Sequence, residues 1–393
     1  MKKLKKCLAL LTAMALTLAL VGCGDKPADE EEPAEDAQVE EPAEEQQADP
    51  EGTHVVTDNT GAEIEVPNTI NRIIILSTMP LASVFCMVEG SGEKLVGLNP
   101  TSKNAAEHSF LNRIAPEVAN ASTDFASGDT VNIEEVMNLK PDVVFYNSDG
   151  ADDVAATEQL KELGVPCVGF TTNLEGFSTI ETFNLWATLI GDVMQHVERA
   201  DEIVKYGRDV EAKVKERVKD LAPEDRKTAL ILVNYNDSTI LASCNIFGRY
   251  WLETVGATNV ATEIDARVSP VSLEQIYTWD PDVILFNSFT PYTPEQIMSN
   301  TAVEGQDWSG LKAVKNGEVY KFPLGVYYWY PPCSDSPLAL QWLAKTVYPE
   351  LFEDIDLDAE IIKYYKEFYG IDLTEEDLDT LYNPPAESAV KKI

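Results

Sequence analysis

Four consecutive aromatic residues followed by two prolines form the chemically most distinctive run of the 393-residue chain, YYWYPP at residues 327–332. Neighbouring side chains of an extended chain point to opposite sides, so the four rings cannot all face one core. Aromatic faces offer a flat surface to a macrocycle or a catecholate. The run predicts ligand contacts through Tyr327, Tyr328 and Trp329. The alternative is that two rings are buried and two cover the edge of the fold.

An internal repeat places polar residues at matching points of the chain. VNIEEVMNLKPDVVFYNS at 131–148 matches VSLEQIYTWDPDVILFNS at 271–288 without a gap. Each copy predicts a helix, a Pro-Asp break and a buried strand, ending in Asn-Ser at the carboxyl end of the strand, where open α/β sheets bind ligands. Turn formation is the alternative role of these side chains. The predicted cleft residues are Asn147, Ser148, Asn287 and Ser288.

The repeat also distinguishes two kinds of acidic residue. Asn132 and Ser272 stand where helix N-caps belong, and Glu135 and Gln275, three residues later, would complete capping boxes. The acids at the second helical position have no such role, although each could stabilise its helix dipole by about 0.3–1 kcal/mol. These two matched acids are Glu134 and Glu274.

Weaker candidates lie near the predicted strand ends. Arg249 could pair with an anionic chelate and Phe247 could stack on it, although an exposed, solvated Arg249 fits the sequence equally well. Tyr235, which directly follows a predicted strand, is a further candidate ligand residue. Met79 could ligate haem, but the chain offers no histidine partner for it. Ligation of a haem through Tyr327 or Tyr328 is a further alternative.

Charge and histidine content exclude several classes of ligand. The formal net charge of −37 excludes nucleic acid and disfavours an anionic membrane surface. The only histidines, His54, His108 and His196, are too scattered for a multi-histidine metal site, so no bound metal is predicted. A free oxyanion would want a cation-rich cleft. A large, partly apolar chelate is therefore the favoured ligand, and the protein needs no cofactor of its own.

The amino terminus predicts export and lipid anchoring. A basic start, a short apolar run and Leu-Val-Gly-Cys at 20–23 describe a lipoprotein signal with Cys23 as the lipidated residue. Residues 24–52 are rich in Ala, Pro and acids, as expected for an extended tether. Without the signal lysines and the tether, the remaining body carries a net charge of −29.

Short β-branched runs alternate with helical patterns from residue 53 onward, which predicts an α/β fold with mainly parallel sheets. Two such sets flank a helix at 196–221, about 35–40 Å long at 1.5 Å per residue, so we expect two Rossmann-like lobes joined by one rigid helix. Cys86, Cys167, Cys244 and Cys333 could form two disulfides, although their apolar neighbours favour buried thiols. The predicted strands are 72–76, 94–97, 142–146, 165–170, 229–234, 239–242, 282–286 and 318–322. The predicted divisions are a signal at 1–22, a tether at 23–52, lobes at 53–176 and 223–372, interdomain helices at 177–222, and a tail at 373–393.

The body resembles the substrate-binding lipoproteins of iron-siderophore, haem and cobalamin ABC importers over about residues 55–371. This resemblance implies two lobes joined by one long helix, and one Glu on each lobe tip that docks onto arginines of the permease, at Glu134 and Glu274. Gly256-Ala257 departs from the Gly-Gly that the family often has. The motifs that carry the resemblance are DNTGAEIEVP at 58–67 with RIII at 72–75, NIEE and LKPDVV within 132–144, LETVGATNVA at 252–261, VSLEQ and PDVI within 271–284, and SP at 336–337 with YPELF at 348–352.

These observations predict a monomeric, non-enzymatic receptor, lipid-anchored to the outer face of a bacterial cytoplasmic membrane. We expect it to capture a ferric-siderophore-type chelate between its lobes and to deliver it to an ABC permease and its ATPase. Cobalamin is the next candidate, then haem, then an oxyanion such as molybdate. A secreted hydrolase is the alternative from another class, but the sequence has no Gly-x-Ser-x-Gly elbow, phosphate-binding glycine loop or His-Glu-x-x-His.

Overall fold

The computed structural model describes residues 49, 51–78, 80–127, 130–385 and 388–389. The predicted signal, Cys23 and almost all of the tether lie outside the described residues, as does Met79. Within the described residues, no helix combines the length and the apolar content that crossing a membrane requires.

The first lobe contains a four-stranded parallel sheet in the order β4-β3-β7-β8. Its strand residues are apolar and almost all buried, as expected for a parallel sheet covered by helices on both faces. Two antiparallel hairpins accompany it, β1 with β2 and β5 with β6. The strands are β1 (Thr53–Thr57), β2 (Glu63–Pro67), β3 (Ile73–Ile75), β4 (Leu95–Leu98), β5 (Ala126–Ser127), β6 (Thr130–Val131), β7 (Val143–Asn147) and β8 (Cys167–Phe170).

The second lobe contains a mixed sheet in the order β12-β10-β9-β13-β14, with β11 also paired to β9. Strands β9, β11, β13 and β14 are mutually parallel, whereas β10 pairs antiparallel with both of its neighbours, β9 and β12. The sheet is therefore mainly parallel, as predicted. The strands are β9 (Thr228–Tyr235), β10 (Ile240–Ser243), β11 (Thr258–Asn259), β12 (Val268–Pro270), β13 (Val283–Phe286) and β14 (Val319–Lys321).

Helices cover both sheets and connect the lobes. The first-lobe helices are α1 (Leu81–Glu89), α2 (Pro100–Glu107), α3 (Leu111–Ile114), α4 (Ile133–Asn138) and α5 (Ala151–Glu162), and the connecting helices are α6 (Thr179–Met194) and α7 (Val197–Val218). The remaining helices are α8 (Phe247–Thr254), α9 (Leu273–Trp279), α10 (Pro294–Met298), α11 (Lys312–Asn316), α12 (Ser336–Val347), α13 (Leu357–Tyr369) and α14 (Glu375–Tyr382). Short 3₁₀ helices lie at Pro116–Asn120, Glu175–Phe177, Pro223–Asp225, Val260–Glu263 and Pro349–Leu351.

The predicted interdomain helix is α7, which packs against α6 and α12. Its apolar stripe of Ile203, Val210, Val214 and Val218 is buried, as its spacing predicts. This stripe belongs to the largest hydrophobic cluster of the described residues, which joins side chains from both lobes. The two lobes therefore share one core along the connecting helices.

The repeat folds as predicted, with one difference at its caps. The side chain of Asn132 accepts hydrogen bonds from the backbone N–H groups of Glu134 and Glu135, and Ser272 accepts one from Gln275. Residues 131–136 and 271–276 also share one pattern of burial. The structure thus confirms the N-cap half of each predicted capping box; the Gln275 side chain instead donates to Glu263.

The predicted tail at 373–393 contains ordered structure. Helix α14 begins with a capping box between Thr374 and Asp377, and it buries Leu378 and Leu381 in the shared core. The sequence predicted no helix at 373–393, because apolar positions are few there. Leu378 and Leu381, three residues apart, are the side chains that dock this helix on the core.

The four cysteines of the folded body are buried free thiols, in agreement with the interpretation that their apolar neighbours favoured. Burial raises the pKa of Cys167 to about 12, so it stays protonated at neutral pH.

Close packing of α6 on α7 yields the first prediction. A methyl group added at Gly191 would lie 2.5 Å from Cβ of Ala200, and neither group can move aside. We expect Gly191→Ala to lower the free energy of unfolding by about 1–3 kcal/mol through overpacking, despite the better helix propensity of alanine. Urea unfolding measures the change.

Gly207→Ala, on α7, is the matched control. Its added methyl group would approach the rotatable end of the Asn184 side chain, at 2.9 Å, so a smaller effect is expected. Equal destabilisation by the two substitutions would contradict the packing argument.

Candidate functional site

Small hydroxyl side chains lie at the carboxyl edge of the first-lobe sheet. Thr78 follows β3, and Ser102 lies in the first turn of α2, which follows β4. Both are 2% exposed, and neither hydroxyl has a hydrogen-bond partner among the described residues. Helices α1 and α2 begin at this edge, and the N-terminal end of a helix carries a partial positive charge. The edge therefore presents neutral polar groups and two helix N-termini.

The carboxyl edge of the second-lobe sheet carries a buried amide. Asn287 directly follows β13 and is 0% exposed, and neither its Nδ2 nor its Oδ1 has a partner in the described part of the chain. Thr290, three residues later, is equally buried, and its hydroxyl also has no hydrogen-bond partner among the residues that the structure describes. In contrast, the Ser288 hydroxyl donates to the Phe322 carbonyl at 2.6 Å.

The two edges meet through helix α2. Ala105, one turn after Ser102, packs in one apolar cluster with Leu324 and Tyr327, and Phe289 packs against this cluster. Phe289 directly precedes Thr290. Helix α2 of the first lobe and the loop after β13 of the second lobe therefore pack against the same apolar cluster.

Hydrogen bonds hold this contact between the lobes. The backbone N–H of Phe110 donates to the Gly325 carbonyl at 3.0 Å, and the Ser109 hydroxyl donates to the Val326 carbonyl at 2.9 Å. The segment 324–329 is thus pinned to the loop between α2 and α3.

A buried carboxylate organises the same segment from the other side. Oδ2 of Asp335 accepts hydrogen bonds from the Val326 backbone, at 2.7 Å, and from Trp329 Nε1 and the Tyr365 hydroxyl, both at 3.0 Å. A Cβ at Gly325 would overlap this oxygen, so only glycine fits there. Burial raises the pKa of Asp335 to about 6, although these donors favour the charged form.

All four rings of the aromatic run are buried, between 0% and 4% exposed. The sequence predicted either an open aromatic surface or two covered and two edge rings, and the structure differs from both. Neighbouring rings share a cluster instead of alternating between two sides. Tyr327 packs towards α2, and the Tyr328 hydroxyl donates to the Ser388 carbonyl; Trp329 and Tyr330 join the shared core.

In the first lobe, the asparagine of the Asn-Ser pair forms a hydrogen bond with a neighbouring residue of the chain. Oδ1 of Asn147 accepts from the backbone N–H of Asp149 at 3.0 Å, which forms a turn. The Asn147 and Ser148 side chains are half-buried at the sheet edge. A cavity of about 210 Å³ opens beside them, with Asp153 and Ser77 in its wall. The Asp153 carboxylate accepts from Ser77 Oγ and from the Asn147 backbone, and its burial raises its pKa.

Three other predicted ligand residues lie outside this arrangement. Tyr235 is fully buried in a separate cluster of the second lobe, where its hydroxyl donates to Gln306 at 2.7 Å. Phe247 packs edge-to-face on Phe177 where the lobes join. Arg249 is exposed on α8 and pairs with Glu253 one turn later, which corresponds to the solvated alternative.

Glu134 and Glu274 lie in the first turns of α4 and α9, and both side chains are exposed. Each is free to meet a partner surface, while the adjacent Asn132 and Ser272 hold the helix ends. Within the described ranges, no group of three or more His, Cys, Asp or Glu could hold a metal ion.

Sequence reasoning missed four residues of the interlobe arrangement, Thr78, Ser102, Thr290 and Asp335. The first three stand just after strands, and that position is the only signal the sequence carries for them. Asp335 has no local signal, because its three donors come from residues 326, 329 and 365.

An isolated buried polar group without a partner costs roughly 1–3 kcal/mol. Buried polar groups are normally satisfied, so a set of them in one region requires an explanation such as a ligand. Each of these four groups, the Asn287 amide and the three hydroxyls, can therefore hydrogen-bond to a polar ligand that reaches it.

Comparison with known proteins agrees with this architecture. The family model for periplasmic binding proteins matches residues 73–324. The crystal structure of a periplasmic solute binding protein from Veillonella parvula DSM 2008 is 33% identical, with a TM-score of 0.76, and the alignment covers 84% of this chain and 97% of that one.

Two curated relatives differ in the ligand that they are named for. The molybdate-binding protein MolA of Haemophilus influenzae is 27% identical over 321 residues, 76% of this chain and 86% of that protein. The Fe(3+)-citrate-binding protein YfmC of Bacillus subtilis is 25% identical over 209 residues, 52% of this chain and 61% of that protein.

The buried carboxyl of Asp335 predicts a specific pH dependence. The pKa rises from 3.8 to about 6 on folding, so the folded chain binds a proton that the unfolded chain releases. The contribution of this carboxyl to the free energy of unfolding should therefore fall by about 2 kcal/mol as the pH rises from 4 to 6, and stay lower above pH 6. Asp335→Asn keeps an oxygen acceptor but carries no titrating proton, so this decrease should vanish.

Urea unfolding at pH 4 and pH 7 measures the difference between the variant and the wild type. The substitution Asp220→Asn, at an exposed position, is the control and should leave the wild-type dependence intact. An identical pH dependence in Asp335→Asn and the wild type would refute the assignment.

Proposed function

Because the chain belongs to the periplasmic binding protein family, we propose that it binds a compact oxyanion of the molybdate class between its lobes. The coarser role follows from the family: it is an extracytoplasmic substrate-binding protein of an ABC transporter, and its relatives are solute-binding proteins rather than enzymes. The ligand class is the step that needs argument.

The observation that carries the proposal is the amide of Asn287, fully buried with both polar atoms unpartnered among the described residues. The hydroxyls of Thr78, Ser102 and Thr290 add donors from both lobes. Neutral donors and helix N-termini bind dianions without a cationic side chain.

The net charge of the body does not oppose this ligand. We expected an oxyanion to require a cation-rich cleft, but donors placed in a dry site act at short range, where distant surface carboxylates are screened by solvent. The name of the Haemophilus relative, a molybdate-binding protein, supports the same class.

An iron chelate is the second candidate. It is favoured by the Fe(3+)-citrate-binding relative and by Tyr327, whose ring lies beside α2. A ferric-siderophore-type ligand would need the aromatic run to become exposed, because its rings are at most 4% exposed. Cobalamin and haem are larger and would need a wider opening still.

We expect delivery to the membrane to follow the resemblance: a lipid on Cys23 holds the exported protein at the membrane, and Glu134 and Glu274 contact the permease. Exposure of both glutamates supports this docking role.

The ligand proposal predicts that function and stability oppose each other at Asn287. Replacing it with leucine, whose side chain branches at the same carbon, removes two buried unpartnered polar atoms. Asn287→Leu should raise the free energy of unfolding by about 1 kcal/mol and weaken molybdate binding at least about tenfold. Isothermal titration calorimetry with molybdate, ferric citrate and haem, together with urea unfolding, provides both readouts.

Ser288→Ala is the matched control at the next position. Its hydroxyl is engaged by the Phe322 carbonyl, so the variant should lose about 1 kcal/mol of stability and keep its ligand affinity. If the wild-type protein binds ferric citrate and does not bind molybdate, the oxyanion proposal is rejected in favour of the iron chelate.

The docking proposal predicts a separation of transport from binding. Glu134→Ala with Glu274→Ala should reduce ligand uptake by membranes carrying the cognate permease at least about tenfold, because two charged contacts are lost. The dissociation constant of the isolated protein should not change. The neighbouring pair Glu135→Ala and Gln275→Ala is the control; equal uptake by both double variants would reject the docking role.

A further inference from the structure

The C-terminal strap, residues 372–385, touches both lobes beside the proposed ligand site. Its helix α14 buries Leu378 and Leu381 in the shared core. The strap therefore has a fixed position from which its polar groups can act.

Towards the first lobe, the strap meets one arginine. Nη1 of Arg113 donates to Oδ1 of Asp377, and Nη2 donates to the Asp372 carbonyl, both at 2.7 Å. Arg113 lies in the short helix α3, which follows α2 directly, so we expect it to move with the first-lobe wall of the site. The other carboxylate oxygen of Asp377 accepts from the Thr374 backbone at 2.7 Å, which fixes the acid in place.

Towards the second lobe, the strap holds the segment that closes the site. The backbone N–H of Leu324 donates to the Leu381 carbonyl at 2.9 Å. Just beyond the strap, the Ser388 carbonyl accepts from the Tyr328 hydroxyl. Leu324 and Tyr328 belong to the cluster that packs on Ala105 of α2.

We propose that the C-terminal strap is a positioning element that holds the two lobes in the closed arrangement and so slows the release of bound ligand. The proposal rests on the ligand site proposed above. Separating the lobes at this point would break either the Arg113 contacts or the Leu324 contact, because the strap cannot follow both walls. A strap that only stabilised the fold would change unfolding without a specific effect on release.

Release kinetics test the proposal. Arg113→Gln removes the charged contact while both of its partners stay in place, and the side chains involved are partly exposed, at 44% and 19%. In stopped-flow tryptophan fluorescence with molybdate, we expect the dissociation rate to rise about three- to tenfold and the association rate to change less than about twofold. The effect should shrink in high salt.

Lys366→Gln is the matched control. It removes an exposed ion pair with Asp372 that lies within the C-terminal region and leaves Arg113 intact. We expect wild-type kinetics from it. An unchanged dissociation rate in Arg113→Gln, or an equal rise in Lys366→Gln, would overturn the proposal.

A second measurement needs no ligand. Hydrogen exchange in the free protein reports on the Phe110 and Leu324 amides, which donate to Gly325 and Leu381 across these contacts. Arg113→Gln should speed both, and should leave the Val144 amide inside the first-lobe sheet unchanged. If the wild type does not bind molybdate, the ligand proposal fails, but hydrogen exchange still tests the positioning role of the strap. Unchanged exchange at both amides in Arg113→Gln would overturn that role.

Discussion

The carboxylate of Asp335 is the interaction on which the arrangement between the lobes depends. One buried oxygen accepts hydrogen bonds from a backbone N–H and an indole of the segment 324–329 and from a phenol of α13. Through them it fixes the path of residues 324–329, which form the second-lobe wall against α2. The requirement for glycine at position 325 follows from this oxygen, because any side chain there would occupy its place. Burial of the charged carboxylate lowers the free energy of unfolding above pH 6. In return, its hydrogen bonds fix the second-lobe wall in place.

That wall gives the proposed site its dry character. Aromatic rings fill the space around it, so water has little access to the hydroxyls and to the Asn287 amide. In such surroundings an unsatisfied polar group is costly, and a ligand that satisfies several of them gains a correspondingly large share of its affinity. The same feature would let the proposed oxyanion bind to a strongly acidic protein, because the neutral donors act at short range whereas the surface acids are screened by solvent.

The strands and helices could be predicted from the sequence, but most contacts between distant segments could not. The strands, the long connecting helix and the repeat could be predicted from local sequence patterns. A strand that is buried on both faces of a sheet, for example, needs a continuous run of apolar residues. The equivalence of Asn147 and Asn287 was also visible, but their different roles were not, because one side chain closes a turn and the other has no partner among the described residues. Packing from distant segments decided this, as it decided the burial of all four rings of the aromatic run and the docking of α14.

The central claim is that the Asn287 amide is left unpartnered in order to hold a small oxyanion between the lobes. The most direct test is a crystal structure grown with molybdate, with data collected at the molybdenum absorption edge. The account predicts one anomalous peak between the lobes, with its oxygens within hydrogen-bond reach of Asn287 and of a hydroxyl from the first lobe. A peak elsewhere on the protein, or an Asn287 amide bonded to protein groups while molybdate is bound, would contradict it.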